Sequence, residues 1–329
     1  MINAGFVPRL ETAHERMASG RVLRLAWVVL VGCGRASGSP TSTPTPTSTS
    51  TSTATPTATT TTTTTPTPTS TSTPTSTPPV APPGMLLVPA GSFVMGTDTG
   101  GQEDEHPAHT VTLAAFFLDK TEVDNASWDA CVAASVCRPK STAVRAEHAD
   151  FNGPNQPVSG ISWEDARAYC AWRGKRLPRE AEFERAARDS DGRRYAWGDD
   201  PPTHDKTVFA SGKPEDVGSH PAGRGPFGHD DLAGNVWEWQ EDEYDPYAYR
   251  RATAPAGTPG TCPEIMAALD ELRRDGKQGF TGTNPIPDEC EHAIRGGAYN
   301  YDADGLRASN RVHHPGRYRI PMLGVRCAL

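Results

Sequence analysis

Short runs of alternating apolar and polar residues predict strands along the last three quarters of the chain. Met85–Gly96 is typical of two short strands around a Pro-Ala-Gly-Ser turn, and Val111–Asp119 of a third strand with a central apolar run. Trp237 and Trp239 lie two apart, so they share one face of a further strand. Leu323–Ala328 closes the chain as an apolar strand that we expect to enter the core.

Helical spacing of apolar residues appears in four other segments. Asn125 is a candidate cap for a helix that runs to Ala134, and Ser162 begins a capping-box sequence for a helix that ends at Gly174. A third helix opens at Pro178, and a fourth covers Glu264–Arg274 inside a passage, Ala252–Cys290, that is typical of an insertion. Strands and helices together predict a mixed α+β domain.

Polar residues in two places are assigned to the surface. The loop Gly100–His109 contains three acidic residues and two histidines. A metal site is conceivable there, but a solvated loop is the simpler interpretation. In the third helix the charged residues are interpreted as helix-surface or local salt-bridge groups; they are Arg179, Glu180, Glu182 and Arg185.

The N-terminal quarter divides into a targeting segment and a tether. Every residue from Ser39 to Pro79 is Ser, Thr or Pro apart from two alanines, so this stretch has almost no apolar surface to bury and cannot offset its ordering entropy. We expect residues 33–84 to be a semi-stiff spacer. Residues 85–329 are long enough to form one globular domain with a single large core.

Residues 1–32 are typical of an export signal. Two arginines precede the apolar run Leu25–Val31, which is too short to span a bilayer. The following Gly32-Cys33 completes a sequence that resembles the lipobox of a bacterial lipoprotein, which implies cleavage before Cys33 and acylation of that residue. We therefore expect a protein that is exported and lipid-anchored to the bacterial cell envelope. Gly34 favours the outer membrane by analogy with bacterial sorting rules.

Net charge bears on the class of binding partner, and the number of cysteines bears on disulfide bonds. The formal charge of −8 argues against a nucleic-acid partner held through phosphate contacts. Six of the seven cysteines remain if Cys33 is acylated, and an even number in an exported chain indicates disulfides. Cys131 and Cys137 are close enough in sequence to bridge each other, and a bond between Cys262 and Cys290 would close the base of the insertion.

The nine residues Asp231–Trp239 combine a turn with two carboxylates. Gly234 and Asn235 both tolerate positive φ and so indicate a tight turn. Asp231 and Glu238 bracket this turn, and carboxylates beside exposed carbonyls are the ligands that Ca²⁺ prefers. On these residues alone, a cation site and a core hairpin with surface acids are both possible.

Several motifs between Met85 and Leu329 make the chain resemble the sulfatase-modifying-factor family, whose founding member is the formylglycine-generating enzyme. The motifs occur in the family's order and are Met85–Gly96, Asn155–Trp163, Cys170–Pro178, Glu180–Glu184, Tyr195–Gly198, Gly234–Trp239, Arg295–Gly297 and Gly324–Ala328. The resemblance implies a C-type-lectin-like α+β fold with little regular secondary structure.

The resemblance also implies two stabilising features. One is a disulfide between Cys170 and Cys327. The other is a structural Ca²⁺ site, for which the matching ligands are the side chains of Asp231 and Glu238 and the backbone oxygens of Gly234 and Val236.

The family's copper site has no counterpart in this sequence. The founding enzyme binds copper through two cysteines shortly after the Arg-Gly-Gly stretch and uses it with O₂ to oxidise a substrate cysteine. The matching positions here are Tyr301 and Leu306. Because Cu(I) selects thiolate ligands, we do not expect copper and expect a non-oxidase accessory or ligand-binding module. A formylglycine-generating oxidase is the weakest hypothesis.

The expected ligand is a peptide or a glycan of the cell envelope, bound in a groove that follows the Arg-Gly-Gly stretch. The predicted groove residues are Tyr299, Asn300, Tyr301, Arg307, Asn310 and Arg311. The alternative hypothesis is a maturation-type oxidoreductase of the same superfamily that uses non-cysteine chemistry. Its candidate catalytic residues are Tyr301 and His313.

Overall fold

The computed structural model describes residues 80–250, 258–274 and 287–329, together with the backbone of two short strands at 279–280 and 284–285. The predicted export signal, Cys33 and the tether as far as residue 79 lie outside the described residues. Within the part of the chain that is described, no helix is long and apolar enough to cross a membrane.

The strands and helices are short and alternate irregularly along the chain, as predicted for a mixed α+β domain. The strands are β1 (Met85–Val88), β2 (Gly91–Met95), β3 (His109–Leu113), β4 (Phe116–Asp119), β5 (Trp237–Glu243), β6 (Gly279–Phe280), β7 (Asn284–Pro285), β8 (His292–Arg295), β9 (Val312–His314) and β10 (Leu323–Gly324). The helices are α1 (Asn125–Ala133), α2 (Thr142–Glu147), α3 (Trp163–Trp172), α4 (Glu180–Arg188) and α5 (Cys262–Arg274).

The central sheet has the strand order β10-β5-β8-β9. β5 pairs in parallel with β10 and antiparallel with β8, which also pairs antiparallel with β9. Trp237 and Trp239 of β5 are both buried in one hydrophobic cluster, together with Tyr169 of α3, as their spacing predicted. Phe183 of α4 belongs to a second cluster, which also contains Leu306.

The N-terminal strands pair differently from a simple hairpin. β1 pairs with β4, whereas β2 pairs with β3. The prediction of one strand over Val111–Asp119 is therefore wrong, because the chain leaves one partner after Leu113 and joins another at Phe116. The residue pattern gave no sign of this break, since both halves contain apolar residues.

Helix α1 has a different cap from the one predicted. The Asp124 side chain accepts a hydrogen bond from the Ser127 amide at 2.7 Å and is the N-cap. Asn125 is buried, and its Nδ2 donates to the carbonyls of Phe151 and Gly153. The predicted N-cap at Asn125 is thus wrong by one residue, because that amide satisfies a loop instead of the helix end.

Helix α3 and the disulfides agree with the predictions. Ser162 and Asp165 form the reciprocal capping box at the start of α3, and Gly174 has φ +69° just beyond its end. The bonds are Cys131–Cys137, Cys170–Cys327 and Cys262–Cys290. The second of these joins α3 to the C-terminal segment across 157 residues, so the C-terminal end of the domain is fixed to the core at α3.

Candidate functional site

Two fully buried arginines bracket the segment in which the groove was predicted. Arg311 donates from Nε and Nη2 to the two carboxylate oxygens of Glu180, at 3.0 and 2.7 Å. Arg295, at the end of β8, pairs with Glu184 and donates from Nη1 to the carbonyl of Ser309 at 3.1 Å. We call Glu180, Glu184, Arg295 and Arg311 the buried ion-pair layer.

The buried ion-pair layer corrects two predictions. Arg311 is not a groove residue, because its side chain has 0% exposure, and Glu180 of α4 is buried instead of on the helix surface. Burial opposes the charge of each group, but the partner outweighs it: the pKa of Arg311 lies well above its usual range, and that of Glu180 below. Glu182 and Arg185 are also buried. Glu182 pairs with Arg176, and Arg185 pairs with Asp189.

Two acidic residues of the loop between β2 and β3 are buried. The prediction that this loop is solvated is therefore wrong for these two residues. Asp104 and Glu105 have 0% exposure. Asp104 accepts a hydrogen bond from the Tyr244 hydroxyl at 2.6 Å, and Glu105 accepts from Arg307 and from the Ser309 hydroxyl. Burial raises the pKa of Glu105, but Arg307 outweighs this and holds it below the usual range. The loop is thereby fixed against the segment 303–311.

Two cavities lie on this side of the domain and together form what we call the cleft. The larger, of about 290 Å³, is lined by Gln102, Tyr301, Asp302, Asp304, Gly305, Arg307, Asn310 and Val312. The smaller, of about 200 Å³, is lined by Thr97, Thr99, Gly100, Gly101, Arg188, Gly192, Arg194, Asp199, Arg307 and Ser309. Arg307 lines both cavities and is the one lining residue that they share.

Only part of the predicted groove lines the cleft. Tyr301, Arg307 and Asn310 do so. Tyr299 is buried against Phe151, with ring centroids 5.3 Å apart, because its amide donates to the carbonyl of Asn235 and draws it inward. Asn300 is exposed but does not line either cavity.

The two candidate catalytic residues lie in different surroundings. Tyr301 is 37% exposed in the cleft. His313 is buried, pairs through Nδ1 with Glu291 at 2.5 Å and stacks on Tyr244 with ring centroids 4.1 Å apart. It lines neither cavity of the cleft, so the structure does not bring the two candidates together there.

Tyr301 and Leu306 are the two residues that the sequence resemblance assigns to the copper-cysteine positions. Tyr301 lies edge-on to Trp237, with ring centroids 5.2 Å apart, and partial burial raises the pKa of its phenol while the Trp237 indole opposes this. Leu306 is 1% exposed and packs in the second hydrophobic cluster. Because all six cysteines of residues 85–329 are in disulfides, none of them supplies a thiolate here.

The turn at Asp231 is tight and holds buried carboxylates. Asp231, Gly234 and Asn235 have φ of +57°, +96° and +64°. The Gly218 amide donates to Asp231 at 2.6 Å, and Glu238 is fully buried in a two-bond pair with Arg326 at 2.6 and 2.7 Å. The backbone thus adopts the left-handed turn that the sequence indicated. No feature of the sequence indicated that Glu238 would pair with Arg326.

A third acid, Glu122, adjoins this turn. Its carboxylate accepts from the Val236 amide at 3.0 Å and from the Asn235 side chain at 2.6 Å. Burial raises the pKa of Glu122, Asp231 and Glu238, and repulsion among the acids raises that of Glu122 further. Arg326 is the cation that lowers the pKa of all three acids. One arginine therefore faces three buried carboxyl groups.

These oxygen donors suit a hard cation, with one restriction. Among the described residues, the one group of three acidic, histidine or cysteine side chains whose ligand atoms lie within 4.8 Å of one another is Glu243, Cys262 and Cys290. Its cysteines form a disulfide, so it is not a ready metal site. Because the acids at the Asp231 turn do not converge so closely, a cation there would depend on Asp231 and backbone oxygens as well as on Glu238.

Comparisons with known proteins identify a family and several relatives, some of which match only part of the domain. A family model described as the sulfatase-modifying factor enzyme 1-like domain matches residues 70–329. A formylglycine-generating enzyme from Streptomyces coelicolor is 35% identical over 237 residues, which cover 54% of this chain and 75% of that protein. A hercynine oxygenase from Mycolicibacterium thermoresistibile is 31% identical over 279 residues, but the match covers 74% of this chain and only 58% of the oxygenase. A Bos taurus protein named inactive C-alpha-formylglycine-generating enzyme 2 is 33% identical over 213 residues, or 49% and 71% of the two chains.

Solved structures support the same fold. PvdO from Pseudomonas aeruginosa superposes with a TM-score of 0.55 at 25% identity, over 74% of this chain and 93% of PvdO. Treponema denticola variable protein 1 superposes with a TM-score of 0.53 at 19% identity, over 74% and 94% of the two chains. The predicted C-type-lectin-like, formylglycine-generating-enzyme-type α+β fold is confirmed.

Proposed function

The chain belongs to the sulfatase-modifying factor enzyme 1-like family, and we propose that it is a non-oxidase member that binds a peptide or glycan in the cleft. The observation that carries the proposal is the identity of the two residues at the copper positions. Tyr301 presents a phenol, and Leu306 presents a buried isobutyl group. Neither replaces the thiolates that Cu(I) selects.

The surroundings of Tyr301 support a binding role. Its ring is partly exposed at the cleft and rests edge-on against the buried Trp237. A rigid aromatic residue beside a few polar groups is a common arrangement in ligand sites, because it offers contact area at a low cost in conformational entropy. The buried ion-pair layer holds both ends of the segment that carries it.

The oxidoreductase alternative has less support. It relies on Tyr301 together with His313, and the pairing of His313 with Glu291 keeps the imidazole occupied outside the cleft. The similarity to a hercynine oxygenase is the observation that favours an oxidase role, but the chain spans only 58% of that oxygenase.

The cellular setting and the calcium site belong to the same proposal. We infer a lipid anchor at Cys33, with a Ser/Thr/Pro-rich tether that presents the domain to ligands at the cell envelope. We also infer one structural Ca²⁺, held by Asp231, Glu238 and the backbone oxygens of Gly234 and Val236, and stabilised by the excess of buried acids around Arg326.

A binding array tests the proposed role of the cleft. The purified protein is applied to glycan and peptide arrays as wild type, as Tyr301→Ala and as Tyr318→Ala. Tyr318 is a matched control because the two tyrosines are 37% and 38% exposed and only Tyr301 lines the cleft. Loss of an aromatic anchor is expected to weaken binding about tenfold or more.

The array has two outcomes that contradict the proposal. One is that no glycan or peptide binds the wild-type protein above background. The other is that Tyr301→Ala and Tyr318→Ala bind every ligand as well as the wild type does.

A further inference from the structure

Two arginines give the cleft more hydrogen-bond donors than the protein uses. Arg307 pairs with Glu105 through Nη1. No residue in the described part of the chain accepts from its Nε or Nη2. Arg194 is 54% exposed, and its only side-chain hydrogen bond among the described residues is a 3.4 Å contact with Asp304. Both arginines line the smaller cavity.

Arg188 lines the same cavity, but all three of its guanidinium nitrogens donate hydrogen bonds within the protein. Its Nη1 donates to Glu184 at 2.9 Å, its Nη2 to the Gly192 carbonyl at 2.8 Å and its Nε to the Arg193 carbonyl at 3.2 Å. Arg188 is therefore part of the wall, whereas Arg194 and Arg307 retain donors for a ligand.

The rest of the smaller cavity also favours an anion. Thr97, Thr99 and Ser309 lie along it, and Asp199 is the one acid among its lining residues. The Thr97 hydroxyl donates to the Thr99 carbonyl and the Ser309 hydroxyl donates to Glu105, so the Thr99 hydroxyl is the one of the three that donates to no residue in the described part of the chain. That carboxylate accepts from the Arg194 amide at 2.8 Å, so it holds the arginine's backbone in place. Free guanidinium donors beside hydroxyls form strong, charge-assisted hydrogen bonds to a carboxylate or sulfate.

The larger cavity indicates what carries that anion. Asp302, Asp304 and Asn310 add acceptors, and the Asn310 Oδ1 is buried without a hydrogen-bond partner among the described residues. Tyr301 adds an aromatic ring. A sugar presents hydroxyl groups that both donate and accept, together with a ring face that packs on an aromatic side chain, whereas peptide sites more often use apolar pockets or sheet edges.

Resting on the proposed binding role of the cleft, we propose that its ligand is an acidic oligosaccharide. The carboxylate or sulfate group is held by Arg194 and Arg307 in the smaller cavity. A neighbouring sugar residue lies in the larger cavity against Tyr301.

Isothermal titration of the full chain tests this specificity. The probes are trigalacturonic acid for the carboxylate, a chondroitin sulfate disaccharide for the sulfate, maltotriose as the neutral sugar and pentaglutamate as the acidic peptide. Loss of one charge-assisted contact in Arg194→Gln is expected to weaken binding of the acidic sugar about tenfold. The matched control is Arg317→Gln, because Arg317 is also exposed and pairs with one acid outside the cleft.

The outcomes separate this inference from the proposed function. Binding of an acidic sugar, at least about tenfold tighter than maltotriose and weakened by Arg194→Gln alone, is expected; the stronger of the two acidic sugars identifies the anion. Tyr301-dependent binding of maltotriose or pentaglutamate with equal or greater affinity would overturn the acidic-sugar inference and leave a binding role in place. Binding that Arg194→Gln and Arg317→Gln do not change would also overturn it. If no probe binds, both ideas are contradicted.

Discussion

The segment from Arg295 to Arg311 contributes to two regions that differ in how far their polar side chains are paired within the protein. In the buried ion-pair layer, Arg295 and Arg311 have 0% exposure and acid partners from α4. In the cleft, Arg307 keeps two donor positions without a protein acceptor among the described residues, and Tyr301 is 37% exposed. In the first region the charges are paired within the protein, and the Arg295 Nε is its one arginine nitrogen that is buried without a partner among the described residues. In the second region, donor groups remain for a ligand.

The difference separates residues that hold the fold from residues that are available for function. A buried charge without its partner is costly, so the layer fixes the two ends of the segment. The exposed side chain of Tyr301, between these two ends, is then presented on a rigid base, while Leu306 in the same stretch packs in the core. The Asp231 turn is an intermediate case, since its acids are buried but exceed the one arginine that faces them.

The largest expected effect is in the buried ion-pair layer. Glu184→Ala removes the carboxylate that pairs with both Arg295 and Arg188 and leaves Arg295 with only a 3.8 Å ion-pair contact, to Glu180, which should lower the free energy of unfolding by about 3–5 kcal/mol. Denaturant unfolding measures this loss, and Glu184→Gln, which keeps an acceptor, should lose less. The control is Glu289→Ala, because Glu289 pairs with Arg317 on the surface and should cost less than about 1 kcal/mol. If Glu184→Ala and Glu289→Ala lowered the free energy of unfolding equally, the buried ion-pair layer would be no more important for stability than a surface ion pair.

The second effect concerns the Asp231 turn. If Ca²⁺ binds there, calcium at one hundred times its dissociation constant should stabilise the protein by about 2.7 kcal/mol and raise the melting temperature. Asp231→Asn should abolish this dependence and leaves the Glu238–Arg326 pair intact. Asp270→Asn, at an exposed acid of α5, is the control that should keep it. A wild-type melting temperature that does not respond to calcium would rule out the site.

The third effect is a pH dependence at the edge of the layer. Burial, with repulsion from Glu180, raises the pKa of Asp242 to about 7. Between about pH 4 and pH 7 the folded state therefore holds a proton that the unfolded state has lost, so stability falls as pH rises through this window. Asp242→Asn, which resembles the protonated form, should flatten this fall in stability. Parallel stability curves for wild type and variant between pH 4 and 8 would show that Asp242 titrates normally.

The smallest expected effect is in the cleft. Tyr301→Ala should lower the free energy of unfolding by only about 1 kcal/mol, because the side chain is partly exposed. Tyr244 is 2% exposed and donates to Asp104, so Tyr244→Ala should cost about 3–5 kcal/mol. Unfolding titrations compare the two. A Tyr301→Ala loss as large as that of Tyr244→Ala would mean that Tyr301 is part of the scaffold.

Local patterns predicted the features whose causes are local or have a fixed spacing. The capping box at Ser162 and Asp165 depends on residues three apart, and the shared face of Trp237 and Trp239 on residues two apart. The Cys170–Cys327 bond spans 157 residues, and its prediction came from the family resemblance instead of from spacing.

The errors come from partners that are distant in sequence. Arg311 falls within the predicted groove because it follows the Arg-Gly-Gly stretch, yet Glu180, 131 residues away, makes its burial possible. Glu105 was assigned to a solvated loop, but Arg307 and Ser309 reach it from more than 200 residues away. Arg194 and the glycines of the smaller cavity were missed for the same reason, since nothing near them in sequence marks a cavity.

Exposure of the full chain to Cu(I), O₂ and a Cys-x-Pro-x-Arg peptide tests most directly whether this family member has lost oxidase chemistry. Mass spectrometry of the peptide reports the conversion of cysteine to formylglycine, with the Streptomyces coelicolor relative as the positive control. Because Tyr301 and Leu306 replace the thiolates, the predicted result is an unmodified peptide with this chain and an aldehyde with the control. An aldehyde formed by this chain at a rate comparable to the control would contradict the proposed function.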